Sequence, residues 1–183
     1  VTAGPGVTNA VTGIANAFRA QSPLVVIGGQ GPHSLAGKGA LREMDVLSVV
    51  RPITKWQAAV TDPSRIPELI ATAFRQAMSG VPGPVYLEMP LDVLFAPCEP
   101  DGVRLPSPYP GRPAVPGDER RVAEAAALLR QADRPVVLIG SQVRWSPDWE
   151  VARTFAAQVG APVYVSGMAR GLLEPRWVRS RKA

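Results

Sequence analysis

The run Leu24-Val25-Val26-Ile27, which ends at the pair Gly28-Gly29, decides the fold class of this chain. Four consecutive apolar residues before a chain-breaking pair are typical of a short strand buried on both faces, as in a parallel sheet. The segment before it, residues 9–20, carries apolar residues at helical spacing, and Thr8 or Asn9 could cap its start. A helix that leads into a buried strand predicts alternating helices and strands.

The same alternation continues along the whole chain. Further helices are predicted over residues 40–47, 64–78, 118–132 and 147–159, and further strands over residues 53–60, 85–89, 135–140 and 162–165. Because helices between strands act as crossovers, the strands are expected to be parallel. The sequence therefore predicts an α/β fold made of doubly wound domains with parallel sheets.

A proline-rich segment divides the chain. Seven prolines lie between residues 97 and 117, and such a segment cannot continue a helix or a central strand. We therefore predict a linker over residues 97–117 between one unit, residues 1–96, and a second unit, residues 118–175. Residues 176–183 form an irregular basic tail. Neither end of the chain has the features of a domain boundary, so we expect a fragment of a longer protein.

Composition and charge exclude several classes of function. The formal net charge of +5 falls to +1 without residues 176–183, and no stripe of Lys and Arg with interleaved aromatic residues marks a nucleic-acid surface. The single cysteine, Cys98, and the single histidine, His33, exclude an internal disulfide and a multi-cysteine or His-rich metal site. No apolar run approaches the roughly 20 residues of a membrane helix. We expect a cytoplasmic protein that acts on a small molecule.

The stretch Gly4-Pro5-Gly6-Val7-Thr8-Asn9 opens the first predicted helix. Glycines let the backbone approach a ligand closely, and a helix N-terminus offers free N–H groups. Asn9 adds a hydrogen-bond donor and an acceptor. The same residues also suit a simple helix-entry turn with Asn9 as cap, and spacing alone favours that reading.

Glycine-containing loops follow three of the predicted strands. Gly28-Gly29-Gln30-Gly31 follows the first strand, and the carboxyl ends of strands are where open α/β sheets bind ligands. This loop does not match the GxGxxG dinucleotide fingerprint. In the second unit, Gly140-Ser141-Gln142 and Ser166-Gly167-Met168 follow successive strands. They could form a nucleotide-binding pocket or two plain strand-to-helix loops.

Taken together and in order, several segments resemble the thiamine-diphosphate enzymes of the acetolactate synthase group. Those that resemble the second half of the family's pyrimidine-binding domain are GPGVTN (4–9), SPLVVIGGQ (22–30), ALREMD (40–45), RPITKW (51–56) and GVPGPVYLEMPLDV (80–93). Those that resemble the start of its central domain are RPVVLIGSQVRW (134–145) and PVYVSGMARGLL (162–173). The order of the segments is more specific than any one motif.

The resemblance implies an enzyme that binds thiamine diphosphate and Mg²⁺ and forms a homodimer or tetramer. The GPGxTN loop of the family touches the cofactor's pyrimidine ring, a role that carries over to Pro5, Gly6 and Asn9. Gln30 and Arg42 would line the active site. The family's activating glutamate precedes this loop and its metal-binding segment lies further downstream. No catalytic residue and no metal ligand is therefore expected in this chain.

Several residues depart from the acetolactate synthase pattern, and these departures indicate which branch of the family the chain resembles more. Where acetolactate synthases carry FQE, this chain has Leu41-Arg42-Glu43, and Val81 and Leu91 replace an arginine and a lysine near the FAD and substrate channel. The loss of these cations removes partners for phosphate and carboxylate groups, so FAD stays uncertain. The resemblance favours a carbon–carbon lyase or ligase of the 2-hydroxyacyl-CoA lyase branch, which acts on 2-oxo or 2-hydroxyacyl substrates. The alternatives are an acetolactate synthase with FAD and a non-catalytic nucleotide-binding module.

Overall fold

The computed structural model describes residues 1–107 and 115–173 of the chain. The chain divides into two compact units, Val1–Gly111 and Arg112–Ala183. Both units contain parallel strands with helices between them, which confirms the predicted α/β class. Within the described residues, no helix has both the length and the apolar character needed to cross a membrane.

The first unit is a three-stranded parallel sheet with helices on both faces. Its elements in chain order are α1 (Pro5–Ala20), β1 (Leu24–Gln30), α2 (Val46–Val50), β2 (Trp56–Ala59), α3 (Ile66–Met78), β3 (Pro84–Pro90) and α4 (Leu91–Leu94). The strand order is β1-β3-β2. Leu24 pairs with Pro84 and Trp56 pairs with Val85.

Strand position explains which residues are buried. All seven residues of the central strand β3 are buried. In β1, however, Leu24 is 36% exposed and Ile27 is 42% exposed. The prediction that residues 24–27 are buried on both faces is therefore wrong. The physical reason is that β1 is an edge strand of the described sheet, so the helices on the two faces cover it less completely than they cover the central strand β3.

The two faces of β3 build separate cores, because successive side chains of a strand point to opposite faces. Tyr86 is fully buried with residues of α1, β1 and α2, namely Val7, Ile14, Val26, Val46 and Val50. On the other face, Val85 and Leu87 belong to clusters that include residues of α3, namely Leu69, Ala73 and Ala77. These two cores fix the orientation of β3 and of the residues that follow it.

Two predicted helix boundaries in this unit are wrong. Helix α1 begins at Pro5, so neither Thr8 nor Asn9 is its cap. Gly4 stands at the cap position with φ 55°, and Pro5 suits the first helical position because it has no N–H and a pre-set φ. The helix predicted over residues 40–47 does not form, and α2 covers Val46–Val50 instead.

The second unit has a two-stranded parallel sheet. Its elements are α5 (Glu119–Gln131), β4 (Val137–Ile139), α6 (Glu150–Val159) and β5 (Val163–Val165). Asp118, the first residue of the helix predicted over residues 118–132, caps α5 by accepting a hydrogen bond from the backbone N–H of Arg121 at 2.9 Å. Gly160, the residue after the helix predicted over residues 147–159, ends α6 in the left-handed conformation.

The core of the second unit is built from the two strands, α6 and the segment that follows β5. It contains Ile139, Ala156, Val163, Ala169, Leu172 and Leu173. The helical spacing of Val122 and Ala125 within residues 118–132 predicts that both point inward, and this prediction is wrong, because both residues are exposed. No residue of α5 is buried within the described part of the unit. The small two-stranded sheet therefore leaves the apolar side of α5 largely uncovered.

Candidate functional site

Three segments of the first unit meet at the end of the sheet where strands β1 and β3 finish. The amino nitrogen of Val1 donates to the carbonyl of Ile27 at 2.8 Å, and the N–H of Gly29 donates to the carbonyl of Val1 at 3.1 Å. The first residues therefore run beside β1 and end where β1 ends. Because β3 is parallel to β1, the carboxyl ends of the two strands lie at the same end of the sheet. The carboxyl ends of the strands are where open α/β sheets bind ligands.

The opening turn of α1, residues 4–9, is held tightly against the rest of the unit. Gly4 is buried, and a Cβ atom there would lie 2.5 Å from the carbonyl oxygen of Arg42. A Cβ atom on Gly6 would meet the side chain of Thr2. Pro5 and Asn9 are both exposed. The turn therefore packs its glycines inward and presents Pro5 and Asn9 to its surroundings.

Arg42 lies directly on this turn. Its guanidinium Nη1 donates to the hydroxyl of Thr2 at 2.8 Å. Its backbone has φ 65°, a left-handed conformation that is uncommon for a residue with a side chain. The structure thus brings Arg42 against Thr2 and Gly4, beside the predicted residues Pro5 and Gly6, although the two segments are widely separated in the sequence.

Gln30 borders a cavity at the end of β1, and its amide group is fully engaged. Its Nε2 donates to the carbonyl of Met44 at 2.8 Å and to Glu88 Oε2 at 3.2 Å, while its Oε1 accepts from the N–H of Gly31 at 2.9 Å. The cavity has a volume of about 420 Å³ and is lined by Gln30, Gly31, Pro32, His33, Ala36, Ala40, Glu43, Met44, Asp45 and Glu88. Gln30 therefore ties the loop after β1 to β3 and to the loop before α2.

Glu88 is the functional candidate that sequence reasoning missed. It is only 7% exposed, and it is the one buried charged residue in the described part of the chain. Burial is the main effect that raises its pKa, with a further increase from Asp45, while the hydrogen bond from Gln30 and the charge of His33 oppose the increase. The available signal was a single carboxylate within the apolar strand sequence VYLEMP.

His33 joins the loop after β1 to α4. Its backbone N–H donates to Asp92 Oδ2 at 2.8 Å, and its Nδ1 lies 3.3 Å from Asp92 Oδ1. The two side chains are about half and one third exposed, respectively. The histidine side chain is therefore already paired with a carboxylate beside the cavity.

Asn9 lies at a different cavity from Gln30. This second cavity has a volume of about 410 Å³ and is lined by Val1, Asn9, Ala10, Gly13, Ile14, Leu24, Val25, Val26 and Ile27. The two cavities share no lining residue. The Asn9 side chain makes no hydrogen bond to any residue in the described ranges 1–107 and 115–173. Asn9 and Gln30 thus lie at separate cavities, whereas Arg42, predicted with Gln30, contacts the turn that contains Pro5 and Gly6.

In the second unit, the loops after β4 and β5 contact each other. The hydroxyl of Ser141 accepts from the N–H of Met168 at 3.1 Å, and the N–H of Ser166 donates to the carbonyl of Ile139 at 2.9 Å. A Cβ atom on Gly167 would collide with the Ser141 hydroxyl. The space beside the backbone of Gly140 is open. Gly140 precedes a short helical turn, Ser141–Trp145, which contains Gln142. The predicted nucleotide-binding residues therefore lie close together.

Cationic and metal-binding groups are scarce around the first-unit cavity. Its lining contains no Lys or Arg side chain. Across residues 1–107 and 115–173, no cluster of three or more His, Cys, Asp or Glu side chains could hold a metal ion. A diphosphate group would therefore find no Lys or Arg partner in the lining of this cavity.

Comparison with known proteins defines the class. Residues 1–49 match the sequence model "Thiamine pyrophosphate enzyme, N-terminal TPP binding domain", and residues 122–177 match "Thiamine pyrophosphate enzyme, central domain". The chain therefore belongs to the thiamine pyrophosphate enzyme family, as its resemblance implied.

Individual relatives fall into two groups of enzymes. The chain is 35% identical over 211 residues to 2-hydroxyacyl-CoA lyase 2 of Caenorhabditis elegans. It is 37% identical over 173 residues to the probable acetolactate synthase large subunit of Methanocaldococcus jannaschii, and 38% identical over 173 residues to the acetolactate synthase large subunit of Corynebacterium glutamicum. These alignments cover 93–94% of the chain but only 27–32% of the relatives. The chain thus spans about a third of the length of the curated relatives it matches.

Proposed function

We propose that this chain is part of a thiamine-diphosphate-dependent enzyme that breaks or forms a carbon–carbon bond in 2-oxo or 2-hydroxyacyl substrates. The observation that carries the proposal is the position of the turn at residues 4–9. The turn lies inside the segment matched to the thiamine-binding domain. It also stands at the carboxyl ends of the strands, where open α/β sheets bind ligands. The shared order of two matched domains supports the same assignment.

The residues present fit one half of thiamine diphosphate. Pro5, Gly6 and Asn9 would hold the pyrimidine side, and the amide of Asn9 is open to accept and donate hydrogen bonds. When bound, the cofactor supplies the electron sink for carbon–carbon cleavage or ligation. The described residues offer no metal cluster and the cavity offers no cation for a diphosphate. We therefore propose that Mg²⁺ and the diphosphate are held by another part of the enzyme in a homodimer or tetramer.

We place the substrate side at the cavity beside Gln30. Three carboxyl groups border it, those of Glu43, Asp45 and Glu88, and His33 is already paired with Asp92. A substrate carboxylate would meet these groups without a cationic partner, which is costly in a partly buried site. This lining supports the 2-hydroxyacyl-CoA lyase branch, whose substrate is a thioester, over a synthase of two 2-oxo acids.

A second candidate is an acetolactate synthase with FAD. The synthase relatives at 37% and 38% identity favour it. Val81 and Leu91 oppose it, because neither residue offers a cation for a flavin diphosphate. Flavin absorbance in the purified complete enzyme, with activity lost on removal of the flavin and restored by FAD, would establish the synthase. A non-catalytic nucleotide-binding module would instead bind adenine nucleotides at the loops of Gly140 and Ser166 with no thiamine diphosphate bound.

Asn9→Ala in the complete enzyme should weaken thiamine diphosphate binding. The variant loses one or two hydrogen bonds to the cofactor, which corresponds to about 1–3 kcal/mol if these bonds are buried in the complex. The measurement is a titration of the cofactor-free enzyme. Asn16→Ala is the matched control, because Asn16 is an exposed asparagine of the same helix α1. Equal affinities in wild type and Asn9→Ala would remove Asn9 from the site.

A further inference from the structure

The carboxylate of Glu43 binds the backbone of its own loop. It accepts hydrogen bonds from the N–H groups of Gly37, Gly39 and Ala40, the last two at 3.0 Å. The N–H of Glu43 in turn donates to the carbonyl of Ala40 at 3.0 Å. The loop therefore curls around a single charged group.

The backbone conformation of the loop depends on this arrangement. Gly37 and Gly39 have φ 73° and 72°, the left-handed values that glycine adopts most easily. Arg42, which directly precedes Glu43, has φ 65° despite its side chain. A residue with a side chain keeps this conformation only when its surroundings hold it there. The charge-assisted bonds to Glu43 are the strongest interactions available in the loop to do so.

We infer that Glu43 is a positioning residue, which acts through Arg42 to shape the opening turn of α1. The chain of contacts is continuous: the Glu43 carboxylate fixes the loop, Arg42 bonds Thr2, and the Arg42 carbonyl lies against Gly4. Within the described residues, Glu43 itself makes no hydrogen bond to residues 4–9. What this turn binds rests on the proposed function, but the mechanical coupling of the loop to the turn does not.

The test uses the 183-residue chain and Glu43→Gln, which keeps the size of the side chain but leaves one acceptor oxygen and no charge. We expect hydrogen exchange of the Gly37, Gly39 and Ala40 amides to accelerate about tenfold or more, as expected on loss of bonds to a charged group. The amide signals of Thr2 and Gly4 should shift in the same variant. Glu68→Gln is the matched control, because Glu68 is an exposed glutamate of α3 that bonds only Arg65 at the surface.

A second measurement on the unmodified chain keeps the test independent of how the variant folds. The hydrogen bonds from the backbone N–H groups, that of Gly37 first, lower the pKa of the Glu43 carboxyl from its usual 4.5. The loop should therefore stay closed while Glu43 is ionised and open as the pH falls through this lowered pKa. We expect the amide signals of Gly37, Gly39, Ala40 and Thr2 to move with one shared midpoint below pH 4.5. Signals of residues 73–78, the part of α3 that carries no carboxylate, should stay fixed. The other charged groups near Glu43 are followed through their own signals: His33, Lys38, Arg42, Asp45 and Glu88.

Two results would overturn the inference. One is a Glu43→Gln chain whose loop amides exchange as slowly as those of the wild type. The other is a loop that opens, in the variant or at low pH, while the signals of Thr2 and Gly4 do not change. Failure of the proposed function would be seen separately, as absence of thiamine diphosphate binding by the complete enzyme with the loop coupling intact.

Discussion

Gly28→Ala should destabilise the first unit by about 3 kcal/mol, the upper end of the cost of overpacking a core. A Cβ atom on Gly28 would collide with the hydroxyl of Tyr86 and lie 2.7 Å from two carbons of its ring. The ring is fully buried and has no room to withdraw. Urea unfolding, followed through the amide signals of β3, measures the loss directly.

Two further variants separate this collision from the general effect of adding a methyl group. Gly13→Ala adds the same methyl to α1 at a site with nothing within 4 Å, so it should be neutral or slightly stabilising. Tyr86→Phe removes a hydroxyl that is buried without a hydrogen-bond partner and should not destabilise the chain. Combined with Gly28→Ala, it should recover about 1 kcal/mol because the closest contact is removed. Strictly additive effects would show that the two residues do not collide.

Gly4→Ala should cost about 2–4 kcal/mol for two independent reasons. An alanine at φ 55° carries the strain of the left-handed region, and its Cβ would lie 2.5 Å from the Arg42 carbonyl oxygen. We expect the turn and the loop of Glu43 to move apart, which the signals of Thr2 and Arg42 would report. In the complete enzyme the same variant should weaken thiamine diphosphate binding.

Gly80→Ala is the matched control for Gly4→Ala. Gly80 has the same φ of 55°, but nothing lies within 4 Å of a Cβ atom there. It should therefore show only the backbone strain, about 1–2 kcal/mol, and leave the turn unchanged. Equal losses in the two variants would show that the contact between Gly4 and Arg42 contributes nothing.

The sequence predicts most of the fold because apolar runs and breakers specify strands and helix ends locally. The strand around Val26, the cap at Asp118 and the stop at Gly160 all follow from this pattern. Burial at residues 24–27 could not be predicted, since whether a strand is central or at the edge depends on which strands pair with it.

The loop between β1 and α2 shows the other limit of sequence reasoning. Apolar spacing over residues 40–47 predicts a helix, but Glu43 folds back to bind the amides of Gly37, Gly39 and Ala40. These hydrogen bonds compete with a helix because they occupy the same backbone groups in a different conformation. The available signal was the position of Glu43 a few residues after Gly37 and Gly39 in the sequence.

The site was only partly predictable for a similar reason. Pro5, Gly6 and Arg42 were selected by family resemblance, and the fold places Arg42 against Thr2 and Gly4, next to Pro5 and Gly6 in the chain. Glu88 has no motif of its own, and its significance arises only from burial beside Gln30 in the folded sheet. Asn9 and Gln30 lie at separate cavities, which no spacing along the sequence indicates.

The most direct test of the central claim is an assay for cleavage of a 2-hydroxyacyl-CoA with thiamine diphosphate and Mg²⁺. The complete enzyme that carries this segment and the purified 183-residue chain are assayed side by side. We expect turnover by the complete enzyme that requires thiamine diphosphate, and no turnover by the chain alone, because the activating glutamate and the metal site are proposed to lie outside it. Cofactor-dependent turnover by the chain alone, or cleavage by the complete enzyme that persists after removal of thiamine diphosphate, would contradict the assignment.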